Sequence, residues 1–507
     1  MRRLSLENSV SLLLSDRRVA AVAAVGLCLV AGGLAGAMLG FLGPLLTAAA
    51  IAGAIGAVLV LRDVKWGFYA VVAVSALLPF GALPFRIGFT PTFLDVALLA
   101  LFFVWFMRLV TRRQQDFIVS PLAGPIVAFM ALAVVTFVAG SAHAPLTSFV
   151  LRHFAEILLG IALFFATINT VRTLDRVEGI LRTLILGGFA AAIIGIVLYF
   201  IPQEWSIRLL SGLGRFGYPT GAGVLRFIND DPELSMRAVS TSVDPNTLGG
   251  LFIFVGALMA PQLFAQGPLF RRRWVAVMFG TVGVCLILTF SRGSMAGLAA
   301  ALVLLGASRY RKLLLLLAIV AIVVLVLPQT QDYVLNFAAG LAREDRATQM
   351  RLGEYKDAFI LISRYPLLGV GFAGTPDSDI YLGVANLYLT IAEEMGLIGL
   401  AAFFVAVGSF FAFAWRAWRR MRAEGGDDRR ETLLLGLTAA VAGAMGGGVF
   451  DHYLFNLEFP HAVSLFWMFI GLAVSVASPG PSPSPSLAKV PKPSPGSPGP
   501  GSGGQAA

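Results

Sequence analysis

One uninterrupted apolar stretch near the N-terminus decides the fold class. Residues 19–61 read VAAVAAVGLCLVAGGLAGAMLGFLGPLLTAAAIAGAIGAVLVL, without a charged side chain. A membrane-spanning helix needs about 20 apolar residues to cross about 30 Å of hydrocarbon. The stretch is about twice that length, and it is too long for the apolar core of a cleaved signal peptide. We therefore predict two membrane spans here, separated at Gly43-Pro44.

The rest of the chain has the same apolar character. Of its 507 residues, 57% are hydrophobic and only 13% are charged, and the mean hydropathy is +0.82. Soluble domains carry about 25% charged residues, so a soluble enzyme, a nucleic-acid-binding protein and a secreted domain are excluded. Cys28 and Cys285 both lie in apolar runs, which argues against a disulfide framework or a zinc site. The sequence predicts an all-α, polytopic transmembrane helical bundle of about 12–14 spans.

The basic residues indicate the orientation of the chain. The net charge is +10, and most Lys and Arg residues fall in alternate connections between the apolar runs. Such residues accumulate on the cytoplasmic side of a membrane, so we expect both termini to be cytoplasmic. Residues 1–18 are expected to form a cytoplasmic segment and residues 19–478 the transmembrane domain. Residues 479–507 are rich in Pro, Ser and Gly and should form a disordered tail.

Two connections on the predicted outer side are long, at about residues 202–245 and 328–386. Loops of this length in a compact domain are usually functional. In the second one, Gln349–Ser363 has apolar residues at helical spacing, so we predict an amphipathic helix lying along the outer surface. The residues that form this apolar stripe are Leu352, Tyr355, Phe359 and Ile362.

The outer connections also contain arginines that the charge bias does not explain. Guanidinium groups beside apolar spans are suited to bidentate binding of phosphate oxygens. Taken singly, each arginine could be a solvated loop charge paired with a nearby acid. As a set, they favour a lipid-phosphate or pyrophosphate site. They are Arg208, Arg215, Arg226 and Arg237 in the first long connection, Arg343, Arg346, Arg351 and Arg364 in the second, and Arg292 between two short apolar runs.

Arg292 is the most informative of these arginines. It lies in Thr289-Phe290-Ser291-Arg292-Gly293-Ser294, which we predict to be the outer tip of a tight helical hairpin. Ionisable groups near the hydrocarbon are costly and usually functional. The alternative is an arginine that only extends to the lipid headgroups.

Three polar residues lie together near the outer end of another predicted span, and a fourth lies within a different span. Arg152 and Glu156 are spaced i,i+4 and are expected to form an ion pair, with His153 beside them. A part in substrate binding is the alternative. Asp95 is expected to be an isolated carboxylate within a span.

The order of several short motifs is familiar. Five of them follow one another along the chain: Ser291-Arg292-Gly293, Arg351, Tyr365–Gly371, Asn386–Leu389 and Glu394–Gly399. This order resembles that of the O-antigen ligase and polymerase superfamily, and the resemblance covers Arg237 to Leu400. Arg237 with Asp244-Pro245-Asn246 resembles the outer-loop motif that precedes them. The motif residues carried over are Asn246, Gly369, Gly371, Asn386 and Gly396.

The resemblance implies an enzyme of surface-polysaccharide assembly on the outer face of the bacterial plasma membrane. Such enzymes transfer a glycan from an undecaprenyl-diphosphate carrier to another carrier-linked glycan (polymerases) or to lipid A-core (ligases), without a metal, cofactor or nucleotide sugar. Arg237, Arg292 and Arg351 would bind the donor diphosphate, and Arg292 and Arg351 would also act in catalysis. The implied partners are the donor, a glycan or lipid-linked acceptor, membrane lipids, a flippase and a chain-length regulator, with no nucleic acid.

One position departs from the family pattern. Ligases of the family carry His immediately before the Asn of the loop-to-helix junction, and here that residue is Ala385. The departure disfavours the ligase and favours polymerase-type transfer, and it leaves the general base unassigned. The candidates are Asp377, Asp379, Glu394 and His452, each of which could instead have a structural role as a turn-forming Asp, a helix-packing Glu or an interfacial His.

A transporter or flippase of lipid-linked glycans is the competing hypothesis from another class. Transporters often show internal repeats and paired discontinuous helices near the midplane of the membrane, and we find neither in the sequence. A structural scaffold of the cell envelope would not account for Arg237, Arg292 and Arg351.

Overall fold

The computed structural model describes residues 17–86, 88–111, 116–326, 346–375, 383–425 and 427–478. In these ranges the protein is a helical bundle with a two-stranded antiparallel ribbon, β1 (Arg226–Phe227) and β2 (Met236–Arg237). The all-α polytopic class predicted from the sequence is confirmed. Most of the predicted cytoplasmic segment and the whole predicted tail lie outside the described residues.

The helices fall in a simple order along the chain. They are α1 (Arg17–Arg62), α2 (Lys65–Leu77), α3 (Phe93–Val110), α4 (Ala123–Gly140), α5 (Ser148–Thr170), α6 (Leu174–Phe200), α7 (Gln203–Ser211), α8 (Pro245–Gln262), α9 (Arg272–Leu288), α10 (Arg292–Ser308), α11 (Lys312–Val326), α12 (Arg346–Arg364), α13 (Leu387–Ala423), α14 (Asp428–Gly447) and α15 (Pro460–Ala477).

Six of these helices, α3, α4, α5, α6, α13 and α15, are long and apolar enough to cross a membrane in the part of the chain that the structure describes. Shorter apolar helices include α2, α10 and the second half of α1. The chain is therefore a multi-pass membrane protein. The expected 12–14 crossings remain a prediction, because the shorter helices are identified by composition alone.

The N-terminal helix α1 breaks where the sequence predicts. Gly43 has φ 76° and ψ 170°, so the helix is interrupted there, and Pro44 begins the next helical turn. Proline lacks an amide donor and disfavours helical backbone in the residue before it. The apolar stretch 19–61 thus forms two helical halves.

The centre of the bundle is α15, whose residues are all buried. It packs on α5 through small residues, because a Cβ at Gly160 would lie 3.1 Å from Ser464 Oγ and one at Gly471 would lie 2.8 Å from Thr167 Cβ. Close approach of helix backbones through glycine is the usual packing mode in membranes.

The chain reverses between α9 and α10, as the predicted hairpin requires. Arg272 at the start of α9 donates to the carbonyl of Ala265 (3.0 Å). Tyr310, just after α10, stacks on the neighbouring Phe264 with ring centroids 6.1 Å apart. Since the two far ends of the helix pair meet at one place, the turn between Leu288 and Arg292 lies at the opposite end of the bundle.

Ion pairs gather at the end of the bundle where α9 begins and α10 ends. Arg309 pairs with Asp428 (2.5 Å) and with Glu431, and Arg429 pairs with Glu178. These pairs join connections that the alternation of basic residues assigns to one side of the membrane. Which side faces the cytoplasm stays a prediction.

Candidate functional site

Arg237 is fixed in place by two neighbouring elements. Its Nε donates to the carbonyl of Thr289 (2.8 Å) and its Nη2 donates to Asn246 Oδ1 (2.8 Å). The amide of Ala238 donates to the carbonyl of Leu288 (2.8 Å), so β2 is also attached to the end of α9. Two of the five guanidinium donors therefore orient the side chain, and the others can serve a ligand.

The start of α8 supplies one of these orienting groups. Asp244 caps the helix, because its Oδ1 accepts the amides of Asn246 and Thr247 (both 2.8 Å). Pro245 occupies the first helical turn, where its missing amide is harmless. The motif Asp244-Pro245-Asn246 is thus a helix start that turns the Asn246 side chain toward Arg237.

Arg292 begins α10 at the hairpin tip. The preceding Ser291 caps the helix, and Phe290 has φ 51°, a value that marks a sharp turn. A Cβ at Gly293 would lie 2.7 Å from Phe450 Cβ, so glycine is required for the approach of the turn that follows α14. Arg292 is partly buried and lies three residues after Thr289, whose carbonyl binds Arg237.

Helix α12 brings Arg351 to the same end of the bundle. The helix covers the predicted Gln349–Ser363, and Tyr355 donates from its hydroxyl to the carbonyl of Val449 (3.2 Å). The positive charge of Arg351 acts on Arg237, where it adds to the burial that lowers the pKa of Arg237. Of the predicted apolar stripe, Leu352 and Phe359 are exposed (39% and 61%), whereas Tyr355 contacts the protein through Val449.

The junction before α13 is held by the turn that follows α14. Asn386 caps α13 by accepting the amides of Tyr388 (3.0 Å) and Leu389 (3.1 Å), and its Nδ2 donates to the carbonyl of Val449 (2.9 Å). The amide of Leu387 donates to the carbonyl of Asp451 (3.0 Å). The motif residue Asn386 therefore joins α13 to residues 448–452, which we call the α14 turn.

The α14 turn contributes two titratable groups. Burial, followed by the negative charge of Asp244, raises the pKa of Asp451 to about 7, against the opposing effect of Arg351 and Arg237. Burial lowers the pKa of His452, whose Nδ1 lies 3.8 Å from Asp451 Oδ1. Asp451 was not among the candidate site residues identified from the sequence.

The three motif glycines have a structural explanation. Gly369, Gly371 and Gly396 all have positive φ, and α13 is kinked at Gly396 (φ 68°, ψ −177°). Val370 and Gly371 donate their amides to the carbonyls of Glu393 (2.8 Å) and Glu394 (3.0 Å). A Cβ at Gly396 would overlap the carbonyl of Leu367, so a larger residue cannot be accommodated there.

The remaining candidates for the general base are not brought together. Glu394 is nearly buried at the kink, about 12 Å along α13 from Asn386. Asp377 and Asp379 lie outside the described residues, as does Arg343. His452 is the member of this set that the structure brings beside the arginines, because the charge of Arg351 acts on it.

Asp95, in the polar cluster near α5, has a structural role. The expected ion pair between Arg152 and Glu156 is confirmed (3.0 Å). The interpretation of Asp95 as an isolated carboxylate is wrong, since Asp95 forms a capping box with Thr92 at the start of α3. Its Oδ2 accepts the amide of Thr92 (2.7 Å) and its own amide donates to Thr92 Oγ1 (3.0 Å).

Part of the chain matches a known protein family. Residues 275–404 match a family model described as O-Antigen ligase. The matched segment contains Arg292, Arg351 and Asn386, whereas Arg237 and the α14 turn lie outside it. No curated protein matches the chain.

The match supports the resemblance to the O-antigen ligase and polymerase superfamily. It also supports polysaccharide assembly of the ligase or polymerase type as the coarse function, and a membrane enzyme of the glycosyltransferase type as the class of protein.

Proposed function

We propose that this protein, whose residues 275–404 match the O-antigen ligase family, performs polymerase-type glycan transfer. The donor is a glycan on undecaprenyl diphosphate, and the acceptor is a second carrier-linked glycan on the outer face of the bacterial plasma membrane. The observation that carries the proposal is the fixed guanidinium of Arg237, held beside Arg351 and the N-terminus of α10 with Arg292.

This arrangement is suited to a diphosphate leaving group. When the bond between the anomeric carbon and the diphosphate breaks, negative charge develops on the leaving oxygen. Arginines positioned in advance, in a site partly shielded from water, stabilise that charge without reorganisation. The N-terminus of α10 adds favourable amide dipoles for an anion. These groups can provide the stabilisation that a bound cation provides in other phosphate sites.

Two alternatives remain from the sequence. The ligase reaction on lipid A-core uses the same donor, but Ala385 replaces the histidine of the ligase pattern. A flippase or transporter of lipid-linked glycans would need a binding site exposed alternately to both sides. Arg237 is instead anchored to the backbone at one end of the bundle, which favours chemistry at that end.

The proposal includes the expected partners and location. A flippase would deliver the donor, a chain-length regulator would set the product size, and both termini of the chain would face the cytoplasm. His452 remains a candidate catalytic group of the site, and Glu394, Asp377 and Asp379 are further candidates because of their positions near Asn386 in the sequence.

The glycan profile of a deletion strain tests the proposal. If the protein is a polymerase, its deletion should leave single repeat units on lipid A-core and abolish longer chains. Loss of every repeat unit from lipid A-core would indicate a ligase, and accumulation of donor on the inner leaflet would indicate a flippase.

A further inference from the structure

One face of α12 carries two charged residues toward the arginine site. Arg351 and Glu354 are three residues apart, so they lie on the same side of the helix. Ala358 and Leu361, which continue that side, are 0% and 1% exposed. The face of α12 that bears Arg351 and Glu354 is therefore the face packed against the protein.

Glu354 reaches the junction before α13. Its Oε2 accepts the amide of Ala385 (3.1 Å), the residue just before the capping Asn386. Backbone amides at a helix N-terminus favour a nearby anion, so the junction holds the Glu354 carboxylate. Its negative charge also acts on His452, where it opposes the lowering of the pKa by burial. Glu354 thus lies between the α13 junction and the α14 turn.

Other carboxylates at this end have structural duties. Asp244 Oδ1 accepts two backbone amides at the start of α8. Asp451 Oδ1 accepts the amide of His452 (2.8 Å), and Asp451 adjoins Arg237 and Arg351, where a negative diphosphate is expected. Glu393 is buried within α13. Among the described carboxylates at this end, Glu354 is partly exposed and lies on the same face of α12 as Arg351, and it accepts one amide at the α13 junction rather than capping its own helix.

We propose that Glu354 is the general base that accepts the proton of the acceptor hydroxyl. The inference rests on the proposed glycan transfer. In the step, the acceptor oxygen forms a bond to the anomeric carbon of the donor sugar, and the hydroxyl proton passes to the Glu354 carboxylate. The bond from that carbon to the diphosphate breaks, and the diphosphate leaves with the electron pair and is stabilised by the arginines.

A Glu354→Gln variant separates the two roles of this side chain. The amide oxygen of Gln can still accept the amide of Ala385, so the junction is preserved while the basic group is lost. The matched control is Asp357→Asn, which removes an acid three residues further along α12. The full-length chain is purified into proteoliposomes and supplied with the lipid-linked repeat unit extracted from the deletion strain.

We expect Glu354→Gln to lower kcat by about 10²- to 10⁴-fold, the usual contribution of a general base. Its Kd for undecaprenyl diphosphate and its thermal unfolding should match those of the unsubstituted protein. Glu354→Asp, which keeps a carboxylate on a shorter side chain, should recover part of the turnover. Asp357→Asn should retain full turnover.

Two results would overturn the inference. The first is turnover of Glu354→Gln within about threefold of the unsubstituted protein, against the 10²-fold minimum expected for a base. The second is a Glu354→Asp variant no more active than Glu354→Gln, with both folded. Normal turnover in Arg237→Ala and Arg351→Ala would instead refute the diphosphate site, so the two failures are distinguishable.

Discussion

Replacement of Arg237 tests the diphosphate site at its best-defined residue. Arg237→Ala removes a guanidinium whose Nε and Nη2 are held by Thr289 and Asn246 at 2.8 Å each. Because the protein fixes its orientation, little entropy is lost when a phosphate binds. The variant should therefore lose donor binding and stabilisation of the leaving group together.

The size of the effect follows from the hydrogen bonds lost. A hydrogen bond to a charged group contributes about 1.5–3 kcal/mol, and each 1.36 kcal/mol corresponds to about a factor of ten in rate. Arg237→Ala should therefore lower kcat/KM by about one to two orders of magnitude. Arg237→Lys should recover only part of this, because an ammonium keeps the charge but cannot form the planar two-donor contact.

Turnover of the lipid-linked repeat unit in proteoliposomes measures the effect, with undecaprenyl diphosphate as the binding probe. The matched control is Arg208→Ala, an exposed arginine of the same long connection that stacks 5.3 Å from the Trp205 ring. The control should retain full activity. A folded Arg237→Ala variant with unchanged kcat/KM would refute the reasoning.

Five further expectations concern stability, activity and topology. Gly396→Ala should abolish folding, since residue 396 has φ 68° and its Cβ would overlap a carbonyl, whereas Gly408→Ala, with open space around it, should fold normally in a detergent-stability assay. Burial raises the pKa of Asp451 from 3.8 to about 7, so the folded state retains a proton that the unfolded state has lost, and Asp451 should make thermal stability fall as pH rises from 4 to 7. Asp451→Asn should make this slope shallower. His461 is buried and its ring nitrogens bond to no described residue, so His461→Phe should raise the melting temperature, and an unchanged or lower value would contradict this. Truncation after residue 478 should leave activity intact, and a truncated protein that inserts well but is inactive would contradict this. A cysteine placed at position 340 should react with an impermeant reagent from outside, and labelling only after permeabilisation would contradict the predicted topology.

Local sequence signals predicted several elements correctly. The pair Gly43-Pro44 indicates a helix break because its conformational preferences are intrinsic to the two residues. The i,i+4 spacing of Arg152 and Glu156 is enough to predict their ion pair. The same local chemistry was missed at Asp95, although Thr92-x-x-Asp95 is the spacing of a capping box.

The site itself depends on contacts that are distant in sequence. Arg237 is oriented by the carbonyl of Thr289, and a backbone carbonyl leaves no trace in a residue pattern. Glu354 meets the amide of Ala385 only because α12 packs beside the junction. The pKa of Asp451 is likewise raised by burial and then by the charge of Asp244, and both effects arise only in the folded protein. Sequence reasoning therefore identified the arginines through motifs but could not identify the groups that hold or accompany them.

Release of undecaprenyl diphosphate by the purified protein is the most direct test of glycan transfer at the arginine site. Proteoliposomes are loaded with the lipid-linked repeat unit alone, and the freed carrier and the lengthened glycan are both quantified. We predict that the unsubstituted protein releases one carrier for each bond formed, and that a folded variant with Ala at Arg237, Arg292 and Arg351 releases almost none. Equal carrier release by this triple variant, or glycan extension without carrier release, would contradict the account.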